Sequence, residues 1–300
     1  MVGPLPPCGA ASLAVIVEGH VRYISHSAAQ ALWRCPESYR LEYIAGVVPA
    51  TKSAALLIGT AAATARETGD LSEAAIRATG LDGHDAAKAM ALVRARDQYW
   101  AHVGDGLTEP GTPELRIERP IPGVRGWRLA MVLDHAYHDG ATVSFREDKT
   151  CGPPLEQAIN EHKAGAQLAT YQAGRYDGKP CILDVARKPT IRPKKEEEPG
   201  EYYARCMEAY DAAPSEFFRR VTVEYDSAKV AAVLQWYRQA ISTIRHHTKH
   251  GWPRMYGGGC RTQYGWCQYK ALCWYCDSDG YERKGTGDPG MTNNTKETAS

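Results

Sequence analysis

The chain has 300 residues, enough to bury a substantial core in one large domain or in a domain with a smaller lobe. Its 36 lysines and arginines against 35 aspartates and glutamates leave a net charge of +1, so a nucleic-acid role cannot be argued from bulk charge and needs a local basic surface. The longest apolar run, ASLAVIVEG, is too short to span a bilayer and no basic signal-peptide start precedes it, so a soluble cytoplasmic protein with no membrane partner is expected.

Residues 1–24 are poor in charge and rich in Gly, Ala and Pro, and read as a loose arm. The stretch SAAQALWRCPESYRLEYIAG, from Ser27, has a helical pattern interrupted by Pro36, which predicts two short helices or one bent one. SAALLIGTAAATARETG and LSEAAIRATG are alanine-rich helices that end at glycine, and HDAAKAMALVRARDQYWAHVG is a longer helix. The character then changes. ELRIERPI, WRLAMVLDHAY and ATVSFREDKT read as strands, the last two joined by a turn at His138–Gly140, where Asp-Gly accepts positive φ. PLEQAINEHKAGAQLATYQAG follows as one helix, KPCILDVARKP as a fourth strand and RPKKEEEPGE as an exposed loop. A helix, a short strand at FRRVTVEY and a long amphipathic helix come next, and the tail from Gly280 reads as disordered. Helices, a hairpin sheet and further helices make a mixed sheet flanked by helices, α/β or α+β.

The charged triplet Glu147-Asp148-Lys149 ends a β-branched run. A charged triplet at a strand end is commonly a solvated edge. Asp134 argues for more, because it interrupts the apolar LAMVLD run, where an acid is costly unless something pairs with it. Across the hairpin Asp134 and Glu147 fall at one level of the sheet, and alternation puts Glu147 and Lys149 on one face and Asp148 on the other. Two carboxylates suit Mg²⁺ or Mn²⁺, and an adjacent lysine suits phosphodiester hydrolysis. On the following helix Gln167 and Tyr171, four apart, share a face.

An acid on one hairpin arm, an ExK triplet on the other and a QxxxY helix together resemble the PD-(D/E)XK nucleases, especially the RecB-like and phage-exonuclease branch. The resemblance covers the middle of the chain. It implies a restriction-endonuclease-like mixed central sheet flanked by helices, with a helical N-terminal region and a Cys-rich C-terminal segment. Asp134 and Glu147 would bind the metal with the backbone carbonyl of Asp148, Lys149 would be the catalytic lysine, and Gln167 and Tyr171 would line the DNA path. Relatives often complete the metal shell with a histidine in a GTxxH context. Here IGTAAATA has Ala63 at that place, leaving Glu118 of RIERPI, or an extra water, to fill it. The implied organisation is an arm over 1–24, a single nuclease domain over 25–279 and a tail over 280–300. The domain divides into a helical part (25–110), a catalytic core (111–190) and C-terminal helices with the cysteine cluster (200–279).

Four of the nine cysteines, Cys8, Cys151, Cys181 and Cys206, are scattered and read as small buried hydrophobes. Cys260, Cys267, Cys273 and Cys276 cluster, and on their own spacing read as a zinc knuckle. The nuclease resemblance offers a different set: Cys35, in the relatives' CPxxYxLxY context, with Cys260, Cys267 and Cys273 around a [4Fe–4S] cluster, and Cys276 as an alternative ligand. A metal-free site is the third option. The aromatics Tyr264, Trp266, Tyr269, Trp274 and Tyr275 would wall this site, most of them packed into the core and some stacked on unpaired bases.

The function expected is a Mg²⁺- or Mn²⁺-dependent deoxyribonuclease, an exonuclease above all. It would act on DNA in recombination, repair or replication, with partner proteins of those processes, and would be encoded by a phage. The alternatives are a catalytically weak or inactive DNA-binding scaffold that keeps the fold, and a zinc-binding regulatory protein.

Overall fold

The computed structural model describes residues 22–104, 112–139, 142–174, 181–255, 257–262 and 265–284. In chain order the elements are β1 (Arg22–Ile24), α1 (His26–Arg34), α2 (Pro36–Tyr39), a π-helical turn over Arg40–Ile44, β2 (Val47–Pro49), α3 (Ala54–Thr68), α4 (Glu73–Arg77) and α5 (Gly83–Val103). The central part holds β3 (Thr112–Pro120), β4 (Trp127–Asp139), β5 (Thr142–Cys151), α6 (Leu155–Ala164), α7 (Gln167–Gly174) and β6 (Cys181–Arg187). After it come α8 (Pro199–Ala212), β7 (Phe218–Val223), α9 (Ser227–His250), β8 (Arg261–Thr262), β9 (Gly265–Trp266), α10 (Lys270–Tyr275) and β10 (Tyr281–Arg283). Among the described residues no helix is long and apolar enough to cross a membrane.

The chain divides into two compact units. One comprises residues 52–117 and 132–230 and carries the main sheet. Its strands run in the order β4–β5–β6–β7, with β4 antiparallel to β5, β5 parallel to β6 and β6 antiparallel to β7. This is the mixed central sheet flanked by helices that the sequence predicts. Phe145, Glu147 and Lys149 of β5 share one face with Leu183 and Val185 of β6, toward α6 and α7, where the edge of the Phe145 ring meets Tyr171. The other face carries Asp148, Thr150 and Ala186, over which α3, α5 and α8 pack a core that includes Ile58, Ala62, Leu92, Tyr202 and Phe218. Alanine at so many helix positions lets α3 and α5 approach closely, and Gly59 marks the limit. A Cβ there would stand 3.3 Å from Thr150 Oγ1.

The other unit comprises residues 1–51, 118–131 and 231–300. Here β1 pairs in parallel with Trp127–Leu129 of β4, and β2 pairs with β10 in an antiparallel ribbon. The amphipathic α9 buries Val233, Tyr237, Ala240, Ile241 and Ile244, and Arg238 and Arg245 fasten its outer side to the carbonyls of Pro122 and Arg125. Leu41, Val47, Tyr269 and Leu272 form a second small core.

Several expectations change. The expected arm lies outside the described residues except at its end, where Arg22–Ile24 form β1. The expected tail is likewise undescribed from residue 285, but Tyr281–Arg283 form β10. The ladder between β4 and β5 continues to Asp139 opposite Thr142, past the turn expected at His138–Gly140, because aromatic and β-branched residues favour further pairing. The single helix after the hairpin is two, broken where Gly165 turns extended at φ −66° and ψ 170°.

The tight approach at Gly59 gives a test. Gly59→Leu forces a side chain against β5 and is expected to lower stability by about 1–3 kcal/mol, read from the urea midpoint at unchanged m.

Candidate functional site

The pairing of His135 with Arg146 places Asp134, one step along, beside Glu147. The backbone N–H of Asp148 donates to Asp134 Oδ2 at 2.8 Å, fixing that acid against the next strand. Glu147 Oε1 accepts from Lys149 Nζ and, at 2.6 Å, from Gln167 Nε2 of α7. Gln167 Nε2 also lies 2.8 Å from the Tyr171 hydroxyl, one helical turn on. Asp134, Glu147, Lys149 and Gln167 therefore converge on one face of β5, as the alternation of the strand predicts. Glu147 Oε2 is buried with no hydrogen-bond partner among the described residues. An orphaned carboxylate oxygen beside a second carboxylate is the donor set of a hard divalent cation.

Burial dominates the titration of both acids at this face. Burial pushes the Glu147 carboxyl up to about 8, with the Lys149 ammonium opposing and the Asp134 charge adding to the push. Burial raises Asp134 as well, again against Lys149. Burial disfavours the Lys149 ammonium, but Glu147 and Asp134 outweigh it and hold its pKa above the ordinary lysine value. Lys149 is thus a cation, and its part is to donate and to offset negative charge.

The opposite face of the same strand holds a different arrangement. The Asp148 side chain is fully buried and meets Arg66 Nε of α3 at 2.9 Å, Arg146 Nε at 3.0 Å, Arg96 Nη2 of α5 at 3.2 Å and His135 Nδ1 at 3.4 Å. Register explains the row. Asp184 of β6 lies beside Asp148 and opposite Arg220 of β7, so Asp184 accepts from Arg220 and, at 2.6 Å, from Arg96. The Arg220 guanidinium in turn lies 4.0 Å above the Trp100 ring. Burial works against the Asp148 charge, yet the surrounding cations hold its carboxyl far below the usual range.

Two of the expected site residues, Glu118 and Tyr171, stand apart from the group around Asp134 and Glu147 or behind it. Glu118 lies 4.0 Å from Arg128 in the other compact unit. The β3 acid that feels Asp134 is Glu114, whose carboxyl is pushed up by burial and then by Asp134 and Glu67. Glu114 also sits at a positive φ of 52°, a conformation unusual for a side-chain-bearing residue. Tyr171 is only 7% exposed and meets Gln167 through its hydroxyl from the buried side. Ala63 is exposed on α3, one turn beyond the Gly59 contact, and offers only a methyl group. His162 of α6 was not singled out by the sequence. It stands near Lys149, and burial with that ammonium pushes it down to about 4, leaving a neutral imidazole. Its signal was its position in the helix after the ExK strand. The arginines had no signal, since each reads alone as a surface residue.

In the other unit, Cys35, Cys260, Cys267 and Cys273 are free thiols that line one cavity of about 20 Å³, walled by Met255, Tyr269 and Trp274. Two local devices bring them there. Gly259 passes so close to Arg34 that a Cβ would lie 3.0 Å from its carbonyl oxygen, which carries Cys260 toward Cys35. The residues between Cys260 and Cys267 include the β8–β9 ribbon, and the N–H of Cys267 donates to the Cys260 carbonyl at 2.8 Å across its open end. A wide spacing in sequence thus becomes a close pair. Cys276 is disulfide-bonded and so offers no free thiol as an alternative ligand. Among the described residues no three His, Cys, Asp or Glu groups are gathered tightly enough to hold a single ion. Cys151, Cys181 and Cys206 are buried and free, as expected, and Cys8 lies outside the described residues. Of the aromatics expected to pack into the core, Tyr269 is buried, Trp266, Trp274 and Tyr275 are exposed, and Tyr264 lies outside the described residues.

The chain is similar in fold to the solved structure of a Eubacterium rectale protein provisionally named an exonuclease. The TM-score is 0.50 and the identity 13%, over 91% of this chain and 94% of that one. It also aligns with an alkaline exonuclease of Laribacter hongkongensis at 15% identity, over 77% of this chain and 92% of that one, but at a TM-score of 0.33 that likeness carries no argument. No family model and no curated protein matches the chain. At such identities the first likeness is one of fold alone.

The Asp148 hub makes a prediction of its own. Asp148→Asn leaves buried guanidiniums uncompensated and is expected to cost about 3–5 kcal/mol at neutral pH by urea denaturation. Because the folded carboxyl titrates below its unfolded value, its stabilisation is present above about pH 4 and is lost as the pH falls further. The variant should therefore show a shallower loss of stability in acid than the wild type.

Proposed function

We propose that the chain is a metal-dependent deoxyribonuclease that hydrolyses phosphodiester bonds, an exonuclease acting in DNA recombination, repair or replication. One observation carries the reading: Asp134, Glu147, Lys149 and Gln167 meet on one face of β5, with Glu147 Oε2 buried and unpartnered. Asp134 and Glu147, with the Asp148 carbonyl, would hold Mg²⁺ or Mn²⁺, which polarises a phosphoryl oxygen and acidifies a water when bound. The Lys149 ammonium offsets charge on the phosphoryl oxygens as the bond breaks and donates a hydrogen bond to the attacking water or to the leaving oxygen. Gln167, steadied by Tyr171, keeps the Glu147 carboxylate in one rotamer. The exonuclease fold of the Eubacterium rectale protein supports the reading at the level of fold.

Linear single- and double-stranded DNA incubated with Mn²⁺ or Mg²⁺ tests this. Wild type should degrade at least one substrate, and Lys149→Ala should be slower by about 10²-fold or more. Mn²⁺ should also raise the melting temperature of wild type and not of Asp134→Asn, a readout independent of turnover. The methyl group at Ala63 favours a second reading, a DNA-binding scaffold with a weakened metal shell. Intact DNA under all conditions would favour that reading over the first, and equal cutting by Lys149→Ala would remove the catalytic role proposed for this site.

We further infer that Cys35, Cys260, Cys267 and Cys273 hold an iron–sulfur cluster. What supports this is that the four free thiols line one cavity. Such a group would cross-link the two ends of that unit. Anaerobically purified wild type should be brown and contain iron, Cys35→Ser should lose both, and Cys276→Ser should keep them. Colourless protein with stoichiometric zinc refutes the cluster.

A further inference from the structure

The near-neutral chain is electrically uneven. From Ala231 to Cys276 it has no aspartate or glutamate, and its charges are Arg238, Arg245, Lys249, Arg254, Arg261 and Lys270. His246 and His250 stand exposed at the end of α9, their ring centroids 4.6 Å apart. This is a basic stretch of sequence that the overall charge does not reveal.

Within the same segment three aromatics are left in solvent. Trp266 is 54% exposed, Trp274 40% and Tyr275 67%. Trp266 and Trp274 meet edge to face, with centroids 6.0 Å apart at 70°. Lys270 Nζ lies 4.1 Å from the Trp266 centroid and 5.8 Å from that of Trp274, and the Arg261 guanidinium lies 5.9 Å from Trp266. Large indoles are normally among the most buried side chains, so two side by side in water mark a binding surface.

We propose that Trp266 and Trp274, flanked by Lys270 and Arg261, form a stacking platform for unpaired bases of single-stranded DNA. An indole face gives a base an apolar, polarisable partner whatever its sequence, and cations beside it meet the phosphates on either side. A duplex hides the faces of its bases, so the platform fits a single strand or a frayed end. A carboxylate to which the segment is bonded, Glu42, accepts from Gln268 and Tyr269 at 3.3 Å, while Lys270 and Arg261 lie against the indole itself, which suits a phosphate beside a stacked base. The inference takes DNA as the polymer from the nuclease reading and adds how an unpaired strand is held, away from the cutting residues in sequence.

The test is binding by the full-length chain in EDTA, where no metal-dependent cutting occurs, read as fluorescence anisotropy of a labelled oligo(dT) and as quenching of tryptophan emission. Trp266→Ala and Trp274→Ala should each weaken binding about five- to hundredfold, while Trp266→Phe, which keeps a ring, should stay close to wild type. An abasic strand with the same phosphates should bind wild type as weakly as oligo(dT) binds the alanine variants. Equal affinity of wild type and both alanine variants, or equal binding of abasic and base-bearing strands, overturns the proposal. So does self-association without DNA that Trp266→Ala abolishes, which would give the surface to a second copy. In the Lys149→Ala background Trp266→Ala should lower oligo(dT) affinity by the same factor as in wild type, so loss of cutting and loss of stacking are read separately.

Discussion

A carboxylate sealed from water costs several kcal/mol unless positive charge surrounds it, and removing one member of such a set costs more than the set ever gained. Asp148 is in this position, with Arg66, Arg96, Arg146 and His135 closing around it. These groups come from α3, α5, β5 and β4, so one side chain ties two helices to two strands of the sheet. The arrangement bears directly on the candidate site, because the backbone N–H of the same residue holds Asp134. A shift of the Asp148 backbone would move Asp134 and the carbonyl that stands next to Glu147 together. The hub on one face is what lets the other face keep a fixed geometry.

The two faces use charge in opposite ways. Behind the strand, excess cations keep a carboxylate ionised far into acid. In front, two carboxylates and one lysine share too little compensation, and Glu147 is pushed up to about 8 by burial. Under the proposed nuclease reading, a divalent cation would supply the missing positive charge and a partner for the orphaned Glu147 Oε2. Residues 147, 148 and 149 thus alternate between a reactive environment and a structural one simply by the two-residue period of a strand.

That period is why so much was legible beforehand. Asp134, Glu147 and Lys149 could be placed on one face because hairpin register and strand alternation are local rules, and Gln167 followed from helical spacing in the next element. The Asp148 hub was not legible. Arg66 and Arg96 lie 82 and 52 residues before Asp148 in sequence, and nothing in ARET or VRAR distinguishes a buried arginine from a solvated one. Glu118 and Glu114 share a strand and a parity, so only the three-dimensional neighbourhood shows that Glu114 feels Asp134. The break of the post-hairpin helix at Gly165 was visible as a glycine, but helical residues on both sides masked it.

The cysteine segment shows one short motif serving two surfaces. Trp266 and Cys267 are consecutive, as are Cys273 and Trp274, and in each pair the cysteine lines the cavity while the indole reaches solvent. In the first pair the alternation follows from the β8–β9 ribbon. A shorter Cys260–Cys267 spacing would leave no room for that ribbon, and Trp266 would lose the strand that presents it. In the second pair the alternation follows from the 100° step of α10, whose other side buries Leu272. The wide spacing between Cys260 and Cys267 is therefore what the outer surface requires. Any group bound by the thiols would also fix the two indoles relative to each other, since each is one residue from a ligand.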